Sequence, residues 1–183
     1  RSTTGETRFY PLVQNFHLDG ILQKSLAPAP QLNPSLQELA EDYARATLEA
    51  LEHVGVLTIE FFQQGDQLIV NEMAPRVHNS GHWSIEGAVT SKFENHVRAI
   101  TCLPLGRTEV SNQVGMINLL GTVPDTSAIL KLQNNALKTA MHIYGKKPLP
   151  GRKLGHLTCV ARSEKERDEL MQNLSKLTLI PAF

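Results

Sequence analysis

Two apolar stretches joined by a short polar turn constrain this chain more than any other feature of its sequence. Residues 56–62 (VLTIEFF) and 67–74 (QLIVNEMA) are rich in β-branched and aromatic side chains, and a Gly-Asp pair lies between them. This pattern predicts a β-hairpin. A turn centred on Asp66 places Glu60 directly opposite Glu72, since the two numbers lie symmetrically about it. The sequence therefore predicts two carboxylates on one face of a two-stranded sheet.

Two carboxylates that face each other in apolar surroundings repel, and we expect something to offset that repulsion. A shared proton would do so by raising the pKa of one of them. A divalent cation would also do so, and carboxylate oxygens suit Mg²⁺ bound together with substrate phosphates. The simplest interpretation is a solvated sheet face on which both side chains meet only water. The hairpin pattern by itself leaves these interpretations open, because sheet register is hard to predict.

The loop that follows the second strand concentrates polar side chains. Pro75 ends the strand, and Arg76 offers a rigid fork for a carboxylate or a phosphate. A glycine in the loop lets the backbone approach a ligand closely. Further donors come from His78, Asn79, Ser80 and His82. The loop predicts a site for a small anion beside a metal, whereas its Pro, Ser and Gly argue against a helical zinc-binding pair of histidines.

A second cationic segment lies towards the end of the chain. Residues 136–145 and 154–161 predict strands, and the intervening KKPLPGRK predicts a stiff, basic turn. A phosphate monoester would suit these cations, although an ordinary basic hairpin tip is the simpler interpretation. The cations are Lys146, Lys147, Arg152 and Lys153.

The composition excludes several classes of partner. The 183 residues are 41% hydrophobic, enough for one ordinary domain or two small ones. The 18 basic residues balance the 18 acidic ones, and basic segments are not interleaved with aromatic residues, so we expect neither a nucleic acid nor a membrane partner. Cys102 and Cys159 form no disulfide framework and no metal motif, which indicates a reducing compartment and hence the cytoplasm.

The pattern of elements predicts an α+β fold with antiparallel pairing, in two parts. Residues 1–106 would contain two strands, a helix, the hairpin, the polar loop and a second helix over residues 85–102. Residues 107–183 would form a small strand-rich module closed by a helix. The first two strands are expected at residues 8–16 and 20–26. The chain begins without Met in predicted strand material, so we expect a fragment of a longer protein.

Local signals mark the first helix. Ser35 with Glu38 predicts a capping box at its beginning, and an apolar period of helical spacing follows. Gly55 stands where a helix favours glycine at its C-terminal end. We therefore predict a helix that has Ser35 as its N-cap and ends just before Gly55.

Five stretches of the chain closely resemble one family, the 5-(carboxyamino)imidazole ribonucleotide synthases. These are the ATP-dependent subunits of phosphoribosylaminoimidazole carboxylase, ATP-grasp enzymes of purine biosynthesis. The stretches are TRFYPLVQNFHLDGIL, GVLTIEFF, LIVNEMAPRVHNSGHW, FENHVRAITCLPLG and PGRKLGHL. The resemblance runs in order along nearly the whole chain, and its most specific part is NEMAPRVHNSGHW. It implies that residues 1–106 are the C-terminal part of an ATP-grasp domain and that residues 107–183 are a small C-terminal module.

The resemblance also implies a reaction. In this family ATP phosphorylates bicarbonate to carboxyphosphate, and that species, or the CO₂ released from it, carboxylates the exocyclic amine of aminoimidazole ribonucleotide. The products are ADP, phosphate and the carbamate, so the enzyme is a ligase that forms a C–N bond. The implied ligands are ATP, bicarbonate, aminoimidazole ribonucleotide and Mg²⁺. The family commonly forms homodimers, which the resemblance implies here.

Residue roles follow from the same resemblance. Glu60 and Glu72 would hold Mg²⁺ on the nucleotide phosphates, and Asn71 with Glu72 would contact the nucleotide. Arg76 and His78 would be catalytic, with Arg76 stabilising bicarbonate and the transferred phosphoryl group. The residues expected to bind substrates are Asn79, Ser80 and His82 at the bicarbonate and imidazole site, and Lys146, Arg152 and Lys153 at the ribonucleotide 5′-phosphate.

The chain departs from the family pattern in two respects. Many ATP-grasp proteins carry a metal-binding Asn where this chain has Ala74, and strand alternation points Asn71 away from Glu72. The N-terminal domain, the Gly-rich loop and the phosphate-binding lysines of such enzymes are not in these 183 residues, so we expect the fragment to fold without turning over. The alternatives are another ATP-grasp ligase, such as a formate-dependent glycinamide ribonucleotide transformylase, and a non-catalytic module that binds a phosphorylated ligand.

Overall fold

The computed structural model describes residues 1–130 and 137–178 of the chain. These residues form helices and antiparallel sheets, which confirms the predicted α+β class. They divide into two compact units. The first unit is residues 1–12 with 31–110, and the second is residues 13–30 with the described residues from Ser111 onward. Among the described residues, no helix has both the length and the apolar character that crossing a membrane requires.

The helices and strands follow one another along the chain, and α1, with 17 residues, and α5, with 15, are the two long helices among the described residues. In chain order they are β1 (Gln14–Leu18), β2 (Ile21–Ala27), α1 (Pro34–Ala50), β3 (Thr58–Gln64), β4 (Gln67–Ala74), α2 (Ser84–Gly87), α3 (Lys92–Ile100), β5 (Gln113–Leu120), α4 (Thr126–Leu130), β6 (Lys138–Ile143), β7 (Lys153–Ala161) and α5 (Glu164–Thr178). A 3₁₀ turn at Asn79–Gly81 precedes α2. The hairpin of β3 and β4 is the sheet of the first unit. Residue 136, at the edge of a predicted strand, lies outside the described residues.

Helix α1 begins two residues earlier than predicted. Asn33, not Ser35, is the N-cap, and its side-chain oxygen accepts a hydrogen bond of 3.1 Å from the Ser35 backbone N–H. Pro34 explains the shift, because proline is preorganised for the first helical position and has no N–H to leave unsatisfied. Gly55 lies beyond the end of α1 and has a φ of +114°. Its backbone N–H donates a hydrogen bond to the backbone carbonyl of Arg1 and not to a carbonyl of α1. Gly55 therefore forms a turn after the helix and does not cap it.

The single helix predicted over residues 85–102 is wrong, since the structure has two helices there, α2 and α3. The backbone between them is used for other contacts: Ala88 bridges to Val110, and the Val89 N–H donates to Glu109. Ser91 then caps α3 by accepting a hydrogen bond from the Glu94 N–H at 3.1 Å. A continuous helix would have needed these groups for its own i→i−4 bonds.

Five strands of the second unit form one antiparallel sheet in the order β1-β2-β5-β7-β6. Helix α5 packs against β5 and β7. Apolar side chains from the sheet, α4 and α5 make a continuous buried core, and each buried Leu, Ile or Met contributes about 1.5–3 kcal/mol to stability relative to an exposed position. The core residues are Leu26, Ile117, Leu119, Ile129, Leu157, Cys159, Ala161, Leu170, Met171 and Leu174.

The first two strands, expected in the first part of the chain, join the five-stranded sheet of the second unit. β2 pairs with β5, with Lys24 opposite Ile117 and Ala27 opposite Val114. The burial of β2 explains this position, because residues 22–27 are buried and the backbone groups on both edges of a buried strand need hydrogen-bond partners, which β1 and β5 supply. Residues 8–13 are not a strand at all. The Leu12 N–H, for example, donates to a glutamine side chain on α1 at 2.8 Å.

The tight packing of β6 against β7 predicts a large effect of Gly155→Ala. A Cβ at Gly155 would lie 2.1 Å from the backbone oxygen of His142, so one strand would have to move. We expect a loss of about 3 kcal/mol in the free energy of unfolding, measured by urea denaturation. Gly20→Ala is the matched control, because its Cβ meets no atom within 4 Å and only its φ of +72° is unfavourable, at about 1 kcal/mol. Equal losses in the two variants would contradict this account.

Candidate active site

The hairpin brings Glu60 and Glu72 opposite each other, which confirms the predicted pairing. The route to this pairing differs from the prediction. The turn is the two-residue Gly65-Asp66 between the paired residues Gln64 and Gln67, and an unbroken ladder from that turn would set Glu60 opposite Asn71. A bulge between Glu60 and Phe61 shifts the register by one residue and restores the Glu60–Glu72 pair.

Asn71 is the extra residue of this bulge. Phe61 pairs with Val70 and Glu60 pairs with Glu72, so Asn71 has no opposite residue in the ladder. Strict alternation therefore does not apply at Asn71, and it does not determine the direction of this side chain relative to Glu72. Bulges commonly re-aim side chains beside active sites. Asn71 is exposed, next in the chain to the carboxylate of Glu72.

The imidazole of His78 lies between the two carboxylates. Its Nδ1 is 3.4 Å from Oε1 of Glu60, and its Nε2 is 3.5 Å from Oε1 of Glu72. Burial lowers the pKa of His78, while the two carboxylates oppose that shift and Arg76 and Lys92 add to it. The imidazole is therefore largely neutral at pH 7, and it does not cancel the negative charge of the pair.

The two carboxylates differ in their surroundings. The side chain of Glu60 is 10% exposed and that of Glu72 is 52% exposed. Oε1 of Glu60 is buried and accepts no hydrogen bond from any described residue. A buried carboxylate oxygen without a donor is costly, which favours a positively charged ligand at this position. Glu72, at the solvent side, leaves the pair open to a ligand.

The oxygen donors fit Mg²⁺, whose coordination commonly combines one or two carboxylates with substrate phosphates. The orphaned Oε1 of Glu60 supplies one hard oxygen ligand and the exposed carboxylate of Glu72 supplies others. Ala74, opposite Thr58 and buried, contributes no ligand atom from its side chain. The residues present therefore provide two protein carboxylates for a metal and leave the remaining positions to water or substrate.

The loop after β4 brings some of the predicted residues to the carboxylates. Ser80 is buried, and its hydroxyl lies 2.9 Å from Nδ1 of His78. Arg76 is exposed, and its guanidinium donates a hydrogen bond to the Val77 carbonyl at 3.1 Å. Its positive charge contributes to the lowered pKa of His78. His82 packs its ring against Phe93, with the ring centroids 5.4 Å apart. Asn79 begins the 3₁₀ turn.

Lys92 is a site residue that the sequence analysis missed. It is the first residue of α3, yet only 4% of it is exposed, and its ammonium donates to the backbone carbonyl of His78. Burial, with a smaller contribution from Arg76, lowers the pKa of Lys92 to about 7. A lysine at the start of a helix normally lies in solvent, so the sequence carried no signal for this burial.

The predicted cationic turn belongs to the second unit. It joins β6 to β7, and the Tyr144 N–H donates to the Leu154 carbonyl at 2.8 Å at its base. Lys146 extends over the ring of Tyr144, 5.3 Å from the centroid. The guanidinium of Arg152 donates to the Lys147 carbonyl at 3.4 Å. Lys146, Lys147 and Arg152 are exposed, and Lys153 is the first residue of β7.

Two protein families match the chain. The ATP-grasp domain matches residues 1–93, and the phosphoribosylaminoimidazole carboxylase C-terminal domain matches residues 115–170. The N5-carboxyaminoimidazole ribonucleotide synthase of Pseudomonas aeruginosa is 49% identical over 158 residues, which is 86% of this chain and 42% of that protein. The synthase of the same name from Escherichia coli is 47% identical over 157 residues, which is 86% of this chain and 42% of that protein. The chain thus spans less than half the length of these relatives.

Solved structures show the same similarity. The crystal structure of N5-carboxyaminoimidazole ribonucleotide synthetase from Thermus thermophilus is 51% identical, with a TM-score of 0.95 over 100% of this chain and 50% of that one. The Aspergillus clavatus synthase in complex with ADP and 5-aminoimidazole ribonucleotide is 33% identical. Its TM-score is 0.82, over 92% of this chain and 47% of that one.

The facing carboxylates predict that Glu60→Gln stabilises the protein when no divalent cation is present. The change removes a charge–charge repulsion across the hairpin while keeping the side-chain shape. We expect the free energy of unfolding in EDTA to rise by about 1 kcal/mol, measured by chemical denaturation. Glu49→Gln, on the exposed part of α1, is the matched control and should change nothing. A clear loss of stability in Glu60→Gln would show that the carboxylate is held by favourable contacts instead.

The buried Lys92 predicts a pH-dependent difference between the wild type and Lys92→Met. Because its folded-state pKa of about 7 lies below the ordinary 10.5, the unfolded chain binds the extra proton between these values. The wild type should therefore gain stability relative to Lys92→Met as pH rises from 7 to 10, by at most about 1.4 kcal/mol per pH unit. Urea denaturation of both proteins across this range measures the difference, and a constant difference would contradict the prediction.

Proposed function

The chain belongs to the ATP-grasp family and carries the C-terminal domain of phosphoribosylaminoimidazole carboxylase, and we propose that it acts in the ATP-dependent carboxylation of aminoimidazole ribonucleotide. The products would be N5-carboxyaminoimidazole ribonucleotide, ADP and phosphate. The observation that carries the proposal is the Glu60–Glu72 pair with the polar loop of His78 directly beside it. Relatives named for this activity, at up to 49% identity, support it.

The proposed chemistry has two steps. An oxygen of bicarbonate attacks the γ-phosphorus of ATP, the bond to the β-phosphate oxygen breaks, and ADP leaves. The exocyclic amine of the ribonucleotide then attacks the carboxyl carbon of carboxyphosphate, or CO₂ released from it. Phosphate departs, and the amine loses a proton. Phosphoryl transfer of this kind depends mainly on positioning and on charge stabilisation, so the protein must bring anions together.

The carboxylate pair and the loop would provide that positioning in the first unit. Glu60 and Glu72 would hold Mg²⁺, which when bound neutralises charge on the nucleotide phosphates. Arg76 has an exposed guanidinium beside the loop, and it would bind bicarbonate and the transferred phosphoryl group. His78 would orient bicarbonate from its place between the carboxylates. The nucleotide would meet Asn71, next to Glu72.

The remaining predicted residues would bind the other substrate. Asn79, Ser80 and His82 would line the bicarbonate and imidazole site, and the buried Ser80 would act by fixing His78 through their 2.9 Å contact. The ribonucleotide 5′-phosphate would be bound by three cations in and beside the basic turn, Lys146, Arg152 and Lys153. The Aspergillus clavatus synthase, solved with ADP and 5-aminoimidazole ribonucleotide, supports this pair of ligands. A homodimer and a cytoplasmic location stay predictions.

The proposal predicts that Glu72→Gln strongly lowers the rate of turnover. In the full-length gene product, ADP release should require ATP, Mg²⁺, bicarbonate and aminoimidazole ribonucleotide together. Glu72→Gln should lower the rate by about 100-fold or more, because a charge that stabilises the transition state is lost, whereas Glu49→Gln should match the wild type.

Three other results would contradict the proposal. Activity with formate in place of bicarbonate would indicate the formate-dependent ligase. Ligand binding without any dependence on Mg²⁺ or on Glu72 would indicate the non-catalytic module. Unimpaired turnover of Glu72→Gln would show that the facing carboxylates are an ordinary solvated sheet face and that they hold no catalytic metal.

A further inference from the structure

The side chain of Lys92 lies inside the loop that presents His78. Lys92 forms no ion pair with a carboxylate among the described residues, and its exposure of only 4% is unusual for such a side chain. Its ammonium donates to the backbone carbonyl of His78. The same carbonyl accepts the N–H of Gly81 at 3.1 Å, which closes the 3₁₀ turn. Lys92 thus bonds to His78, the residue just before the turn, at a carbonyl that also accepts a hydrogen bond within the turn.

Two further contacts tie Lys92 to this loop. The stem of Lys92 lies against Gly81, where an added Cβ would be 3.1 Å from Cδ and 3.3 Å from Nζ of the lysine. The backbone N–H of Lys92 donates to the Ser84 hydroxyl at 3.2 Å, and that hydroxyl donates to the Gly81 carbonyl at 2.7 Å. The loop from His78 to Ser84 therefore wraps around one lysine and is held at both ends.

The charged groups around Lys92 do not explain its burial. Arg76 is near enough to lower the pKa of the lysine, so their interaction is repulsive. The ring of Phe93 lies 5.2 Å from Nζ and gives a weak attraction. The hydrogen bond to the His78 carbonyl therefore offsets the desolvation cost of the buried ammonium. Because breaking this bond would leave a buried charge without a partner, the bond holds the His78 carbonyl in place.

We propose that Lys92 is a positioning residue: its side chain fixes the His78 backbone and Gly81, and thereby keeps the His78 imidazole between Glu60 and Glu72. This inference rests on the proposed function, because it assigns Lys92 a role at the same carboxylate pair. Lys92 does not touch substrate. It acts through the His78 backbone, as groups behind a ligand commonly orient it, and loss of such a group typically costs 10–100-fold in metal affinity or activity.

The test compares Lys92→Met and Gly81→Ala with the wild type in the full-length gene product. Met keeps the length and packing of the lysine stem and removes the donor. In Gly81→Ala the added Cβ would crowd the stem of Lys92 and disturb the same contact. This variant still tests the role of Lys92 if Lys92→Met does not fold. Lys165→Met, at an exposed position of α5, is the matched control.

The first readout is hydrogen exchange of the loop amides, which does not depend on activity. The Gly81 and His82 amides bond to the His78 and Asn79 carbonyls at 3.1 and 3.0 Å. In Lys92→Met these amides should exchange at least about 10-fold faster, with a smaller change in the same direction in Gly81→Ala. Exchange equal to that of the wild type and Lys165→Met would overturn the role of Lys92.

The second readout separates positioning from a general loss of folded enzyme. The Mg²⁺ concentration for half-maximal rate should rise about 10-fold, and kcat/KM for bicarbonate should fall about 10–100-fold. The KM for aminoimidazole ribonucleotide should rise less than the KM for bicarbonate, because the proposed ligands of its phosphate are on the turn between β6 and β7 and not on this loop. A lower kcat with every half-saturation concentration unchanged would overturn the inference. A wild type without bicarbonate-dependent turnover would instead overturn the proposed function, whatever the exchange rates.

Discussion

Repulsion between two carboxylates is the constraint on which the first unit depends. Glu60 and Glu72 face each other because a bulge shifts the register of the hairpin by one residue, and the buried Oε1 of Glu60 has no donor among the described residues. A sheet optimised only for stability would not keep this pair, since like charges directly opposite each other are unfavourable. The imidazole of His78 fills the space between them while staying largely neutral at pH 7. The carboxylate pair therefore keeps its negative charge, which favours the binding of a cationic ligand.

A buried lysine, Lys92, stabilises the loop that lies beside the carboxylate pair. Lys92 bonds to the backbone of His78, so the loop that carries the imidazole is anchored to the first turn of α3. The break between α2 and α3 makes this possible, because it frees Ser91 to cap α3 and brings Lys92 to the first helical position. The local signals for that break are weak in the sequence. The helical pattern across residues 85–102 outweighs them when the sequence is taken alone.

The sequence predicted the hairpin because its signals are local. Apolar stretches of strand length and a Gly-Asp turn are sufficient for that conclusion. The pairing of Glu60 with Glu72 was also correct, but two errors cancelled: the turn centre was misplaced by half a residue, and the bulge at Asn71 was not foreseen. Bulges have no side-chain signature of their own here. The burial of Lys92 and the placement of β2 beside β5 could not be predicted either, because each depends on residues distant in the chain.

The central claim is that the facing carboxylates bind a divalent cation together with nucleotide, and anomalous scattering from Mn²⁺ tests it most directly. Crystals of the full-length gene product grown with ADP and Mn²⁺ should show a peak about 2 Å from carboxylate oxygens of both Glu60 and Glu72. In crystals of Glu60→Gln with ADP, that peak should weaken or disappear. A wild-type structure in which ADP is bound and Mn²⁺ is held only by phosphates and water would contradict the account.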